Sequence, residues 1–156
     1  MIKFLPVLKT NFFFFIFSVI SLSFFSFSDP IREELTEDVL KHTNQFRKSK
    51  GLPALEMRKE LNAVARRHSE DMASGRRSFG HGGYNQRELQ VSKIMKPYNG
   101  MAENVAYGAR SGKEAFEIWK NSSGHRKNML GNYKYIGIGT ARNKRGVIYY
   151  TQIFVR

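Results

Sequence analysis

Between Ile31 and Phe46 the apolar positions recur at helical spacing through Leu35, Val39, Leu40 and Thr43. They predict a first helix that starts at Asp29-Pro30 and ends at Lys50-Gly51. Leu52-Pro53-Ala54-Leu55 is then held extended by its proline. Leu61, Val64, Ala65, His68 and Met72 line one face of a second helix, which Gly75 stops. Gln86 to Met95 reads as a third helix with Leu89 and Ile94 turned inward. Ser111-Gly112-Lys113-Glu114 starts a fourth, carrying Ala115, Phe116, Ile118 and Trp119. After that the period changes. Tyr135 to Ala141 and Val147 to Val155 are rich in β-branched and aromatic residues, and Arg142-Asn143-Lys144-Arg145-Gly146 between them has hairpin length. Helices followed by a terminal hairpin predict an α+β domain in which helices cover an antiparallel sheet.

The N-terminus follows another rule. Lys3 and Lys9 precede an uncharged run from Phe12 to Phe25, shorter than the roughly 18 to 20 apolar residues of a spanning helix. Ser26-Phe27-Ser28 supplies small residues for cleavage before Asp29. Residues 1–28 are therefore expected to be a signal peptide and residues 29–156 a single domain, with no repeat or linker. The alternative is an uncleaved N-terminal membrane anchor, since the phenylalanines extend to Phe27. Both readings leave the domain outside the cytoplasm, secreted or periplasmic.

A chain of 156 residues can build one core without covalent support. The absence of cysteine excludes a disulfide framework, a zinc ribbon, a thiol nucleophile and a lipobox anchor. The net charge is +13; without Lys3 and Lys9 the 26 basic residues become 24, which against 13 acidic ones leaves +11. Such a balance favours anionic partners. For an exported chain these are lipid headgroups, lipopolysaccharide or wall polymers, and nucleic acid is set aside. The charge is scattered along the sequence rather than blocked, so a merely solvated basic surface is the alternative.

Three segments carry the candidate chemistry: Ser78-Phe79-Gly80-His81, Ala102-Glu103-Asn104-Val105-Ala106, and the stretch from Trp119 to Leu130 that contains His125. Two imidazoles and a carboxylate are ligand types preferred by zinc and similar divalent ions. His81, Glu103 and His125 are far apart in sequence, and no local His-Glu-x-x-His motif is present, so only the fold can bring them together. Ser122 and Ser123 stand beside His125, but with no Gly-x-Ser-x-Gly elbow and no acid in register a serine hydrolase is not indicated. His68 lies on the apolar stripe of the second helix and reads as a core histidine, whereas His42 is expected to face solvent near Lys41. Trp119 reads as core.

Taken in order with Asn44-Gln45-Phe46-Arg47, Gly51-Leu52-Pro53-Ala54-Leu55, Tyr135-Ile136-Gly137-Ile138-Gly139 and Tyr149-Tyr150-Thr151-Gln152, these segments resemble the CAP superfamily. This is the group of cysteine-rich secretory proteins, antigen 5 and pathogenesis-related proteins, here in a short cysteine-free bacterial form. The resemblance covers about residues 36 to 156 and implies an α/β/α sandwich, a small antiparallel sheet between helical layers. It matches His81 and Glu103 to the first histidine and first glutamate of the family's cavity tetrad. The other two positions depart from the pattern, with Ser122 where a glutamate is expected and Tyr149 in place of the second histidine; His125 is the compensating group. Asn104, Tyr149 and Gln152 complete the expected cavity set. One reading gives His81 and His125 a divalent ion such as zinc; the other is a hydrogen-bonded network with Tyr149 and Gln152 as structural partners. The family implies a secreted binding or interaction module for lipid, metal or an anionic envelope ligand. The alternative is a metal-assisted peptidase or glycan hydrolase with Glu103 as general base.

Overall fold

The computed structural model describes residues 30–156; residues 1–29, and with them the expected signal peptide, lie outside the described residues. The elements are α1 (Pro30–Ser49), β1 (Glu56–Met57), α2 (Lys59–Ala73), α3 (Tyr84–Ile94), β2 (Met101–Tyr107), α4 (Gly112–Asn121), α5 (Ser123–Met129), β3 (Tyr135–Arg142) and β4 (Ile148–Val155). Among the described residues no helix is long and apolar enough to cross a membrane.

The sheet has the order β1-β3-β4-β2. The predicted hairpin is β3 against β4, and β2 adds antiparallel to the other side of β4. The sheet is mixed rather than wholly antiparallel, because the linker after Pro53 runs alongside β3. Glu56 donates its backbone N–H to Lys134 and Arg58 to Ile136, at 2.9 and 3.0 Å, which makes β1 parallel to β3.

Alternation along β4 then divides the core. Ile153 and Val155 pack with Leu61, Val64 and Ala65 of α2 and Val91 of α3. Tyr150 and Phe154 face the other way, toward Val39 of α1, Phe116 and Trp119 of α4 and Met129 of α5. Helices thus cover both faces, giving the α+β sandwich expected from the resemblance. The α2 layer lies directly on β3: a Cβ at Gly137 would fall on the backbone of Leu61, and one at Gly139 on the backbone of Ala65 and Arg66. That contact lets Ser69 donate to the Gly139 carbonyl at 3.0 Å and meet Thr151 at 2.8 Å, which fixes the face of α2 that carries His68.

Several details differ from the sequence reading. The Glu103 segment is a seven-residue strand, and the stretch after Ser122 forms a further short helix. In α3 the buried residues are Arg87 and Val91, while Leu89 and Ile94 are 58% and 43% exposed. The inward face of that helix is fixed by an arginine ion pair, which hydropathy cannot show. Ile118 of α4 is also exposed. His42 is half-buried rather than solvent-facing, stacked on Phe116 at 5.8 Å with its Nε2 3.2 Å from Asp38.

Candidate ligand cleft at the edge of the sheet

Because β2 is an outer strand, its alternation sends Glu103 and Asn104 to opposite faces. Glu103 lies across from Ile153 and shares the α2 and α3 side; Asn104 lies across from Gln152 and shares the α1 side.

On the first side Glu103 is buried, its side chain 1% exposed. Arg87 donates to it twice, from Nε to Oε2 at 2.6 Å and from Nη2 to Oε1 at 2.7 Å. His81 Nδ1 is 2.9 Å from Oε1. A carboxylate only accepts, so Nδ1 carries the hydrogen and Nε2 is left facing outward on a half-exposed ring. Arg87 also fixes the loop that carries His81, donating from Nη1 to the Gly82 carbonyl at 2.8 Å. Gly83 opens α3 at φ 76°, where a Cβ would lie 2.8 Å from the Arg77 guanidinium.

His68 forms the floor. It is 1% exposed, with Nε2 2.9 Å from the Gly80 carbonyl and 3.9 Å from Glu103, and its Nδ1 has no partner among the described residues. Burial first, then the charge of Arg87, holds its pKa below the usual histidine value. A core histidine was expected here; its place under Glu103 was not.

On the second side the amides form a chain. Gln152 donates to Thr43 at 3.0 Å and accepts from Asn104 at 3.1 Å; Asn104 also donates to the His125 carbonyl at 3.2 Å. Asn128 donates to Asn104 Oδ1 at 2.9 Å and to the Glu103 carbonyl at 3.2 Å, tying α5 to β2. Asn104 and Gln152 are fully buried. They therefore position α5 and do not line a surface. His125, so placed, is half-buried with Nδ1 unpartnered. Burial and then the nearby His81 hold its pKa down, so the two imidazoles stand within electrostatic reach.

Tyr149 stands apart from this group. It pairs with Tyr107, four residues along β2 from Glu103, about 13 Å at strand spacing, and stacks on it. The residues that sequence reasoning missed are Arg87 and Asn128. The i, i+4 relation of Arg87 to Val91 was the one available signal for the first; nothing local distinguishes the second.

The donor set does not fit a zinc centre. His81 Nε2 faces outward, but the unpartnered His125 Nδ1 is buried and both Glu103 oxygens already bind Arg87, short of the usual three protein ligands. Among the described residues no group of three or more His, Cys, Asp or Glu side chains is placed to hold a metal ion.

Comparison with known proteins agrees with this architecture. The curated relatives include the uncharacterized membrane protein YlbC of Bacillus subtilis, 34% identical over 77% of this chain and 34% of its own length. YkwD of the same organism is 34% identical over 65% of this chain and 40% of its own length. The chain thus spans only about a third to two fifths of these relatives. Among solved structures, an extracellular SCP-domain protein of Bacillus anthracis superposes with a TM-score of 0.69 at 30% identity, over 80% of this chain and 41% of that one. An outer surface protein of Borrelia burgdorferi shares the fold, with a TM-score of 0.69 at 19% identity over 80% of this chain and 93% of that one. Residues 40–154 match the model of the cysteine-rich secretory protein family, CAP, and with the sandwich and the edge-strand glutamate in place the chain belongs to that family, without a cysteine of its own.

Proposed function

We propose that this domain is an extracytoplasmic binding module whose cleft, between His81 and His125, takes a polar or amphiphilic envelope molecule and releases it unchanged. The observation that carries this reading is the state of Glu103. Its carboxylate is buried and both oxygens are engaged by Arg87 and His81, so it orients the His81 ring rather than standing free to activate water. The group left for a ligand is the outward Nε2 of His81, since the unpartnered Nδ1 of His125 is itself buried; an imidazole accepts from hydroxyls when neutral and donates to phosphate or carboxylate when protonated. Extracellular and outer-surface relatives support a place outside the cytoplasm.

The test follows the imidazole NMR signals of the purified protein as lipid, lipopolysaccharide and wall polymer are added in turn, with the added molecule analysed afterwards. Shifts of His81 and His125, lost in His81→Phe, with the molecule recovered intact, are expected. Release of a product that Glu103→Gln abolishes would establish the hydrolytic reading instead.

A further inference from the structure

The end of α2 and the β3–β4 turn carry charge that the cleft does not use. Asp71 is approached by Arg76 at 2.7 Å and by Arg67 and Arg77 at 3.7 Å, and Glu70 by Arg66 at 3.1 Å and Arg32 at 3.8 Å. Two carboxylates thus serve five guanidiniums. Among the described residues, Arg142, Lys144 and Arg145 on the facing turn have no carboxylate partner. The charge that is scattered in sequence is gathered by the fold.

A groove of about 890 Å³ runs between these elements, lined by Arg76, Arg142, Lys144, Arg145 and Tyr149 together with Glu70, whose carboxylate is already paired with Arg66. Tyr149 also stacks on Tyr107 at 5.7 Å, and Tyr107 meets Phe79 edge-on at 4.7 Å. Phe79 and Tyr107 remain 48% and 54% exposed. The groove therefore continues into a row of three aromatic rings that ends two residues from His81.

We propose that the groove and its aromatic row bind an anionic polysaccharide, a sugar chain bearing carboxylate or phosphate groups. The cations match the acidic groups, and the aromatic rings supply apolar surface for the C–H faces of the sugars. A concave groove accommodates a chain, whereas a bilayer presents a plane. A single-stranded nucleic acid would also meet cations and rings; the likeness to an extracellular SCP-domain protein favours a polymer met outside the cell, and the oligothymidylate arm of the test decides between them. The site does not depend on the reading of the His81 cleft.

Oligogalacturonate is the probe, titrated into the purified protein at low salt, with neutral dextran of equal length, an oligothymidylate and phosphatidylglycerol vesicles alongside. Lys144→Gln/Arg145→Gln, at the exposed turn, should weaken binding about tenfold. Lys48→Gln/Lys50→Gln removes the same charge about 24 Å along α1 from Arg32 and should weaken it less than about threefold. Tyr107→Ala leaves the charge unchanged and should cost at least about threefold, with Phe79→Ala as the independent reading if the tyrosine variant unfolds. Neutral dextran should bind at least about tenfold more weakly. Equal losses in the two double variants, or no loss in both aromatic variants, would reduce the effect to net charge and overturn the site. Tighter binding of the oligothymidylate or of the vesicles would assign the groove to nucleic acid or membrane instead.

Discussion

Arg87 grips Glu103 through two parallel contacts, Nε to Oε2 at 2.6 Å and Nη2 to Oε1 at 2.7 Å, with both side chains nearly excluded from solvent. In such a place attraction does little more than offset desolvation, so the pair matters most through what its loss would strand. Arg87→Met is expected to cost about 3 to 5 kcal/mol by leaving a buried carboxylate uncompensated. Adding Glu103→Gln should recover much of that. Urea unfolding of the four proteins completes the cycle, and a coupling below about 0.5 kcal/mol would mean the two side chains act independently.

Much of this fold was readable along the chain because its signals are local. The stripe of α2, the proline after α1 and the change of period at Tyr135 each show within a few residues. Glu103 and His81 were legible as chemistry, and the fold sets them 2.9 Å apart. What stayed hidden depends on partners distant in sequence. Arg87 looks like a surface residue until β2 brings Glu103 beneath it, and hydropathy instead favoured Leu89. Strand β2 contains a charge and an amide because its two faces meet different polar partners, which defeats simple alternation. Asn104, next to Glu103 in sequence, and Gln152, joined to it through the family resemblance, were grouped with Glu103, yet one residue of register places them on the other side of the sheet.

Arg47 is buried at 1% exposure with no carboxylate beside it among the described residues. It donates instead to the carbonyls of Pro53 at 2.9 Å, Met129 at 2.9 Å, Gly131 at 2.8 Å and Tyr133 at 3.4 Å. The planar fork thereby ties the end of α1 to the turn between α5 and β3. Lysine keeps the charge but cannot reach carbonyls in so many directions. Arg47→Lys should lose about 2 to 4 kcal/mol. Thermal unfolding that left the variant within about 0.5 kcal/mol of the parent would show that the carbonyls are satisfied without the fork.

Gly139 lies where α2 touches β3, and a single methyl there would land on the backbone of Ala65 and Arg66. Backbone cannot rotate aside as a side chain can, so Gly139→Ala should cost at least about 1 to 3 kcal/mol and lift α2 away from the sheet. Gly146→Ala at the solvent-exposed turn is strained by its φ of 82° but meets nothing within 4 Å, which separates backbone strain from overpacking. Ser69 offers a second readout, since its bonds to Gly139 and Thr151 depend on the same close approach. Slowed hydrogen exchange at α2 in the Gly139 variant would contradict the packing argument.

The pH dependence of stability should come chiefly from His68 and His125. Burial lowers the pKa of both; Arg87 and Arg77 press further on His68 while Glu103 and the Gly80 carbonyl oppose them, and His81 presses on His125. An unfolded histidine titrates near pH 6.5, so below that value the unfolded chain binds protons that the folded chain refuses. Stability contributed by these two groups is therefore complete above about pH 6.5 and lost as the pH falls toward their folded values. Between pH 7.5 and 5.5, above the range where carboxylates protonate, unfolding free energy should drop by about 1 to 2 kcal/mol. His68→Gln/His125→Gln should flatten most of that slope. A parent protein equally stable at both ends of the window, or a double variant with an undiminished slope, would show that neither ring is held neutral by the fold. In that case the unpartnered Nδ1 atoms of the two rings would need another explanation.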